Sequence, residues 1–412
     1  MIETKVCIIG AGPAGAAAAL QLAYMGIPCV IADKAVFPRD KVCGDGLSGK
    51  VLTLLSRIDK GIGERLEQAL FKENSWGVRF IAPNRLGMNV PYMRQYHKLP
   101  CEPHGFVCKR IFFDNFLADE LRRCPSIQFF EGKDITRYQL QEDGYLLSDH
   151  TGDFCIKTQL VIAANGAYSG FTKAVAGFRM EPAHYVAGIR AYYQGVKNLH
   201  PDHFIELHFL NNILPGYFWI FPLPGGQANV GVGMLSKTAR RKKVNLKKLL
   251  LETIQHDPIL SDRFKNAILL GDIQGYGLPL GSKKRQLYGE RYMLAGDAAF
   301  LIDPFTGEGI GNALYSGRMA AQRAAEAIAA NNFSAAMLAP YNDHVYRVLG
   351  PELQMSARLQ HLVRFPWLFN WLMKKAGHNK QLQDLMSCMF NEVELRKKLG
   401  QPLFYLKLLF SR

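Results

Sequence analysis

Two glycine-rich stretches, far apart in the chain, limit its possible folds more than any other feature. The first, KVCIIGAGPAGAAAALQLAYMGIPCVIADK, begins at Lys5, and the second, LAGDAAFLIDPFTGEGIGNAL, begins at Leu294. In the first, residues 5–9 are an apolar run expected to form a buried parallel strand, and Gly10 opens the turn after it. Gly12 lacks the Cβ that would keep a pyrophosphate off the backbone, and Gly15 lets the next helix, expected over residues 14–25, pack tightly on the sheet. The free N–H groups at that helix start suit phosphate. Residues 27–32 read as the next strand, ending in Asp33, at the spacing of roughly 20 residues where an acid meets ribose hydroxyls. Strand, turn, helix, strand and acid in register predict a dinucleotide site. Two distant pieces of chain are needed to hold both ends of FAD, so the pair of stretches points to a flavin.

The chain has 412 residues, enough for two domains and an appendage. No apolar run reaches the length of a membrane span, and a strand starting so near Met1 leads us to expect no secretory or transit peptide. Eight cysteines without a CxxC pair argue for reduced thiols over disulfides or zinc, hence a cytoplasmic protein and no metal site. The formal net charge of +15 suggests an anionic partner. No nucleic-acid motif is present, so a membrane surface or an acidic substrate fits better, with plain solubility as the alternative.

The pattern divides the chain as follows. A discontinuous FAD-binding domain is expected over residues 1–75, 100–180 and 270–335, a substrate domain over 76–99 and 181–269, and a helical C-terminal segment over 336–412. Residues 127–149 read as hairpin strands. Alternation in FWIFPLPGGQANVGVGML implies an antiparallel sheet, with PGG as a turn, and a helix is expected over 246–256. The fold class is therefore α/β with an α+β second domain: a Rossmann-like FAD domain, an antiparallel substrate sheet and C-terminal helices.

Several motifs carry a family likeness. GAGPAG at the start, PRDKVCGDG after the second strand, KRIFFDNFL, AANGAYS, PGYFWIFP and GDAAFLIDPFTGEGI occur in this order over roughly residues 1–340. The chain resembles FAD-dependent oxidoreductases of the para-hydroxybenzoate hydroxylase superfamily, and within it the geranylgeranyl reductase group. That resemblance implies that Asp297 accepts hydrogen bonds from the ribityl hydroxyls, although an Asp there also suits a helix N-cap. It implies that Arg110 contacts FAD, with a surface ion pair as the other reading. It places Cys43, from KVCG, near flavin and substrate, as a proton donor or only as pocket wall. AANGAYS departs from the family pattern in carrying Asn165 where an Asp is usual, which puts any role of that carboxylate in doubt.

The expected cofactor residues are Gly10, Gly12, Ala14, Gly15, Asp33 and Lys34 from the early stretch, then Arg39, Cys43, Gly44 and Arg110. Gly296, Asp297, Pro304, Gly307, Gly309 and Ile310 complete the set from the late stretch. Gly307, Gly309 and Gly311 allow close approach to the isoalloxazine, and Pro304 reads as a loop element near its face. Arg39 and Lys41 could hold FAD or a substrate phosphate, or be solvated charges. Tyr217, Trp219 and Phe221 alternate by two and so share one sheet face, either lining a cavity for a long apolar or planar substrate or forming sheet core. Cys43, Tyr217 and Trp219 make up the expected catalytic set.

No second nucleotide unit is visible, so NAD(P)H or another electron carrier would act as a transient donor. The implied activity is reduction of a carbon–carbon double bond in a prenyl lipid or pigment precursor. The rival is a monooxygenase or halogenase acting on an aromatic or apolar substrate. Against it, the halogenase tryptophan motif ends in Ile-Pro, unlike Phe221-Pro222, and the halogenase lysine signature is missing, though Lys50 is nearby. A flavin-binding scaffold without turnover is a third class. Finally, Phe365, Trp367, Leu368, Phe369, Trp371, Leu372 and Met373 lie beside Lys374 and Lys375, and the chain closes with QPLFYLKLLFSR. This segment either docks on an anionic bilayer, at the inner face of a membrane, or caps the substrate domain.

Overall fold

The computed structural model describes residues 1–92 and 105–378. Cys101, Cys388 and the closing QPLFYLKLLFSR lie outside the described residues. The first layer is an eight-stranded sheet. Its parallel part runs, in spatial order, Tyr292–Leu294, Cys155–Ala163, Ile2–Ile9, Cys29–Ala32 and Ile127–Phe130. The central strands are unbroken apolar runs because both faces are covered: Val6, Cys7, Ile8 and Ile9 are all buried, as is the whole of Cys29–Ala32. Helix Pro13–Tyr24 lies on one face. Its alanines and glycine let it approach helix Ile310–Ala329 so closely that a Cβ on Gly317 would fall 2.0 Å from the Ala14 carbonyl oxygen. The two glycine-rich stretches therefore pack on one another directly.

The strand Ile127–Phe130 corrects one expectation. It is not half of a hairpin but pairs in parallel with Cys29–Ala32, because helix Arg110–Arg122 carries the chain back across the sheet before it. The hairpin is Arg137–Gln141 with Gly144–Ser148, joined to the first sheet through Cys155–Ala163.

The second layer is a seven-stranded sheet in the order Ile268–Pro279, Tyr185–Gln194, Gln227–Leu235, Gly216–Leu223, Ile205–His208, Gly77–Ile81, Gly87–Pro91. All neighbours are antiparallel except Ile205–His208 with Gly77–Ile81. Strand Ile268–Pro279 pairs along its length with Tyr185–Gln194, so this layer runs to Pro279 and not to the boundary at 269. A small three-stranded sheet, Gly46–Leu47, Gly105–Val107 and Glu73–Ser75, bridges the layers.

The C-terminal helices are built into both cores. Along Ala335–Leu362, Leu338, Val345, Leu349 and Leu353 join the core of the first layer, and the Tyr341 hydroxyl donates to the Leu294 carbonyl at 2.7 Å. Beyond it, Val363, Phe369 and Met373 join the core under the seven-stranded sheet, where Phe369 meets Phe209 at 4.9 Å between ring centroids. Phe365, Trp367 and Trp371 point the other way and are exposed. Among the described residues no helix is long and apolar enough to cross a membrane.

Candidate active site

Between the two layers lies a cavity of about 700 Å³, within the usual range of ligand sites. Both glycine-rich stretches reach its wall: Gly10, Gly12 and Ala14 from the early one, Asp297, Gly307, Gly309 and Ile310 from the late one. Asp33 also lines it. One of its carboxylate oxygens accepts from the Ala11 amide at 2.7 Å and the other from the Ala35 amide at 2.8 Å, so the acid shapes the turn as well as facing the cavity. A Cβ on Gly12 would meet nothing nearer than an Arg39 guanidinium nitrogen at 4.0 Å. The space over Gly12 is therefore open, and it faces the start of helix Pro13–Tyr24, as a bound pyrophosphate requires. The start of helix Ile310–Ala329 closes the other side of the cavity. These residues fit FAD.

Charged groups surround this cradle. Arg110 is buried, not a surface residue, and makes a two-pronged pair with Asp114, both contacts at 2.7 Å. Arg39 reaches the same carboxylate. Burial opposes charge on Asp114, but Arg110 and Arg39 outweigh it and hold the carboxyl below the usual range. Both arginines line the cavity, as do Lys34 and Lys41. Lys41 donates to Asp297 at 3.1 Å and lies over the Tyr276 ring at 5.1 Å. Asn165 lines the cavity too, and its side-chain oxygen accepts from the Ser169 hydroxyl at 2.5 Å, at the start of the short helix Gly170–Ala174.

The opposite wall is aromatic. Tyr217, Trp219 and Phe221 all face the cavity from strand Gly216–Leu223, with neighbouring rings 6.1 and 6.4 Å apart, and Ile205, Leu207 and Tyr92 extend this surface. Cys43 and Gly44 line the cavity beside them, with the Cys43 side chain next to the Arg110 guanidinium.

Four expected residues stay off this wall. Gly15 lies under its helix, where a Cβ would sit 1.8 Å from the Gly10 carbonyl oxygen, and Gly296 packs against Ala14. Pro304 lines a separate small cavity, and its carbonyl accepts from Gln360 at 2.7 Å; helix Ala335–Leu362 holds this turn away from the larger space. Gly311 likewise presses on the Lys50 side chain. Lys50 itself is buried, with its ammonium 2.8 Å from Glu352 and 3.5 Å from Glu308, and it is not part of the cavity wall.

Other polar residues at the site escaped sequence reasoning. Asp45 is fully buried, and burial pushes its carboxyl up to about 6 even though Asn229 and Tyr192 donate to it. Arg190 donates to Asp40 at 2.7 Å, and Glu308 accepts from the Ser48 hydroxyl at 2.5 Å. The available signals were an acid between two glycines in KVCGDG and Asn229 inside the apolar run ANVGVGML.

A double glycine cradle facing an aromatic wall defines a flavin-dependent oxidoreductase. The comparisons agree. The chain belongs to the family described as FAD binding domain, which matches residues 3–342, and FAD is its cofactor. It is 28% identical to digeranylgeranylglycerophospholipid reductase 2 of Methanosphaera stadtmanae, covering 83% of this chain and 82% of that one. It is also 28% identical to the menaquinone reductase of Mycobacterium tuberculosis, over 78% of this chain and 76% of the relative. A solved geranylgeranyl bacteriochlorophyll reductase-like protein from Thermoplasma acidophilum shares the fold, with TM-score 0.80, 23% identity and coverage of 97% and 99%. The flavin-dependent brominase Bmp2 shares it as well, with TM-score 0.76, 19% identity and coverage of 98% and 99%. The comparisons thus include the resemblance to geranylgeranyl reductases read from the motifs, beside a menaquinone reductase and, in fold, a brominase.

Proposed function

We propose that this protein saturates carbon–carbon double bonds in the isoprenoid chain of a lipid or pigment precursor. The observation that carries this reading is the aromatic wall of Tyr217, Trp219 and Phe221, set across one cavity from both glycine-rich stretches. An apolar polyene gains from burial against such a wall without needing polar partners. When bound, reduced FAD supplies a hydride to one alkene carbon. The chain's own residues do the rest. Tyr217 is held in place by its hydroxyl, which donates to the Thr306 carbonyl at 2.5 Å, and the wall orients the alkene and excludes water. Cys43 Sγ delivers the proton to the neighbouring carbon, and Asp297, Lys41, Arg39 and Arg110 hold the cofactor. NAD(P)H or another electron carrier would serve as the transient donor.

The names of the relatives support an isoprenoid substrate. The test is anaerobic incubation of the FAD-loaded protein with dithionite and a geranylgeranyl phospholipid or a menaquinone, followed by mass spectrometry. The expected product carries two added hydrogens per reduced bond, and Cys43→Ala should slow its formation by about 10²-fold or more. No product without oxygen, together with oxygen-dependent hydroxylation or halogenation of an aromatic probe, would favour the rival chemistry of the brominase neighbour. The burial of Lys50 in ion pairs off the cavity wall speaks against that rival.

Access to a bilayer substrate would come from one end of the seven-stranded sheet. Turn 82–86 and helix Pro366–His378 meet there, since the Asn84 amide donates to Asn370, and Phe365, Trp367 and Trp371 are exposed. Strand Gln227–Leu235 ends on the same side and continues into a basic segment. There Lys237, Arg240, Arg241, Lys242, Lys243, Lys247 and Lys248 are all exposed. Exposed aromatics beside exposed cations suit the interface of an anionic leaflet. In flotation with phosphatidylglycerol vesicles the protein should bind, and reversing Arg240, Arg241, Lys242 and Lys243 to glutamate should release it. Equal flotation of wild type and variant, or none of either, would remove the membrane reading.

A further inference from the structure

The loop that carries Cys43 and the strand that carries Trp219 belong to different layers, yet one buried side chain joins them. Asn229 sits fully buried in strand Gln227–Leu235. Its amide nitrogen donates to the Cys43 carbonyl at 2.8 Å and to an Asp45 carboxylate oxygen at 2.7 Å, while its oxygen accepts from the Trp219 indole N–H at 2.9 Å. The indole nitrogen can only donate, and the carbonyl and carboxylate can only accept, so the chemistry itself sets the orientation of the amide. Asn229 makes a bond on each side and has no spare N–H.

The turn beyond Cys43 is seated equally closely. Asp45 adopts a left-handed backbone, φ +69°, which a non-glycine residue holds only when its surroundings fix it. Those surroundings are Asn229, the Tyr192 hydroxyl at 2.8 Å and the Arg110 amide at 3.3 Å. On either side of Asp45, Gly44 and Gly46 lie against the Phe221 ring, where added Cβ atoms would come within 2.9 and 3.3 Å of it. Two of the three wall aromatics thus bear on this turn, Phe221 by contact and Trp219 through Asn229.

We propose that Asn229 is a positioning residue that couples the aromatic wall to the Cys43 turn, holding the thiol at the cavity only while the Trp219 indole is in place. The coupling takes its catalytic meaning from the reductase reading above, but its test does not depend on that reading. The FAD-loaded protein is treated with iodoacetamide in the absence of substrate, and alkylation is followed cysteine by cysteine with peptide mass spectrometry. Asn229→Leu keeps the bulk and removes both arms of the fork; it should raise the alkylation rate of Cys43 by about tenfold. Trp219→Phe leaves the amide in place but removes the indole donor, with part of the ring's bulk, and should raise it by about threefold. Cys7, Cys29 and Cys108 are buried and serve as the internal control, staying unmodified while the fold is intact. If Asn229→Leu exposes them together, the variant has unfolded and Trp219→Phe decides the matter. Cys43 reactivity within about twofold of wild type in Trp219→Phe, or in a folded Asn229→Leu, overturns the proposal. A protein that reduces no alkene but shows the selective rise at Cys43 retains this coupling and loses only the reductase reading.

Discussion

Replacing Arg263 by methionine is expected to cost the fold about 3–5 kcal/mol and to weaken the part of its acid response that Glu206 carries. Arg263 grips Glu206 through two contacts, at 2.6 and 2.8 Å, behind the cavity wall, and both side chains are buried. His208 stands 2.9 Å from the same carboxylate. Its other ring nitrogen is buried with no hydrogen-bond partner among the described residues, and burial lowers its pKa, so at neutral pH it donates as a neutral imidazole. Burial alone would raise the Glu206 carboxyl, but His208 and Arg263 outweigh it and pull the value from 4.5 to about 2.

An acid depressed in this way stabilises the folded state above its ordinary value, and that contribution is lost as the pH falls through about 2. The interval corresponds to about 3 kcal/mol. Without Arg263 only His208 still opposes burial, so the carboxyl rises toward its ordinary value and the variant loses less stability on acidification than the wild type. Urea unfolding across about pH 3 to 7 reads both effects. A variant within about 1 kcal/mol of wild type, with the same acid response, would show that the pair contributes little. The functional consequence follows from strand alternation: Glu206 and His208 face away from the cavity, while Ile205 and Leu207 of the same strand line it.

Gly15→Val is expected to abolish retention of FAD and to destabilise the first layer by about 1–3 kcal/mol or more. Even one added carbon would lie 1.8 Å from the Gly10 carbonyl oxygen and 3.3 Å from an Ile8 methyl, so helix Pro13–Tyr24 must lift from the strand beneath it. That movement displaces the helix start from the cavity and disturbs its contact with helix Ile310–Ala329. Gly12→Ala is the matched control. A Cβ there meets nothing closer than 4.0 Å, so folding should be normal while the new methyl occupies the cofactor's space. The flavin absorbance of the purified proteins and their melting temperatures separate the two cases. Gly15→Val should lose colour and stability, and Gly12→Ala colour alone. A yellow, stable Gly15→Val protein would contradict the packing described for this helix.

Much of the site was legible because it is written locally. The early strand, turn and helix follow from neighbouring residues, and alternation by two placed Tyr217, Trp219 and Phe221 on one face. Whether that face was pocket or core was a question for the opposing layer: the three residues line the cavity, while Trp219 and Phe221 also belong to the core under the sheet. Ile127–Phe130 shows the limit: a short apolar run does not name its partner, and the crossover helix before it set a parallel pairing. The C-terminal helix shows it again. Its aromatics read as one cluster, but the helical period sends Phe369 and Met373 into the core and leaves Trp367 and Trp371 outside.

By itself the sequence determined that two glycine nests exist, that one opens a helix after a buried strand, and that an aromatic stripe accompanies them. Each of these is a pattern with a period or spacing of a few residues. Tertiary structure alone decided that the nests share one cavity, that Pro304 turns away from it, and that Asp45 meets Asn229 across 184 residues and Lys50 meets Glu352 across 302. A buried polar group must find its partner wherever the chain brings one, and no local period encodes which residue that will be.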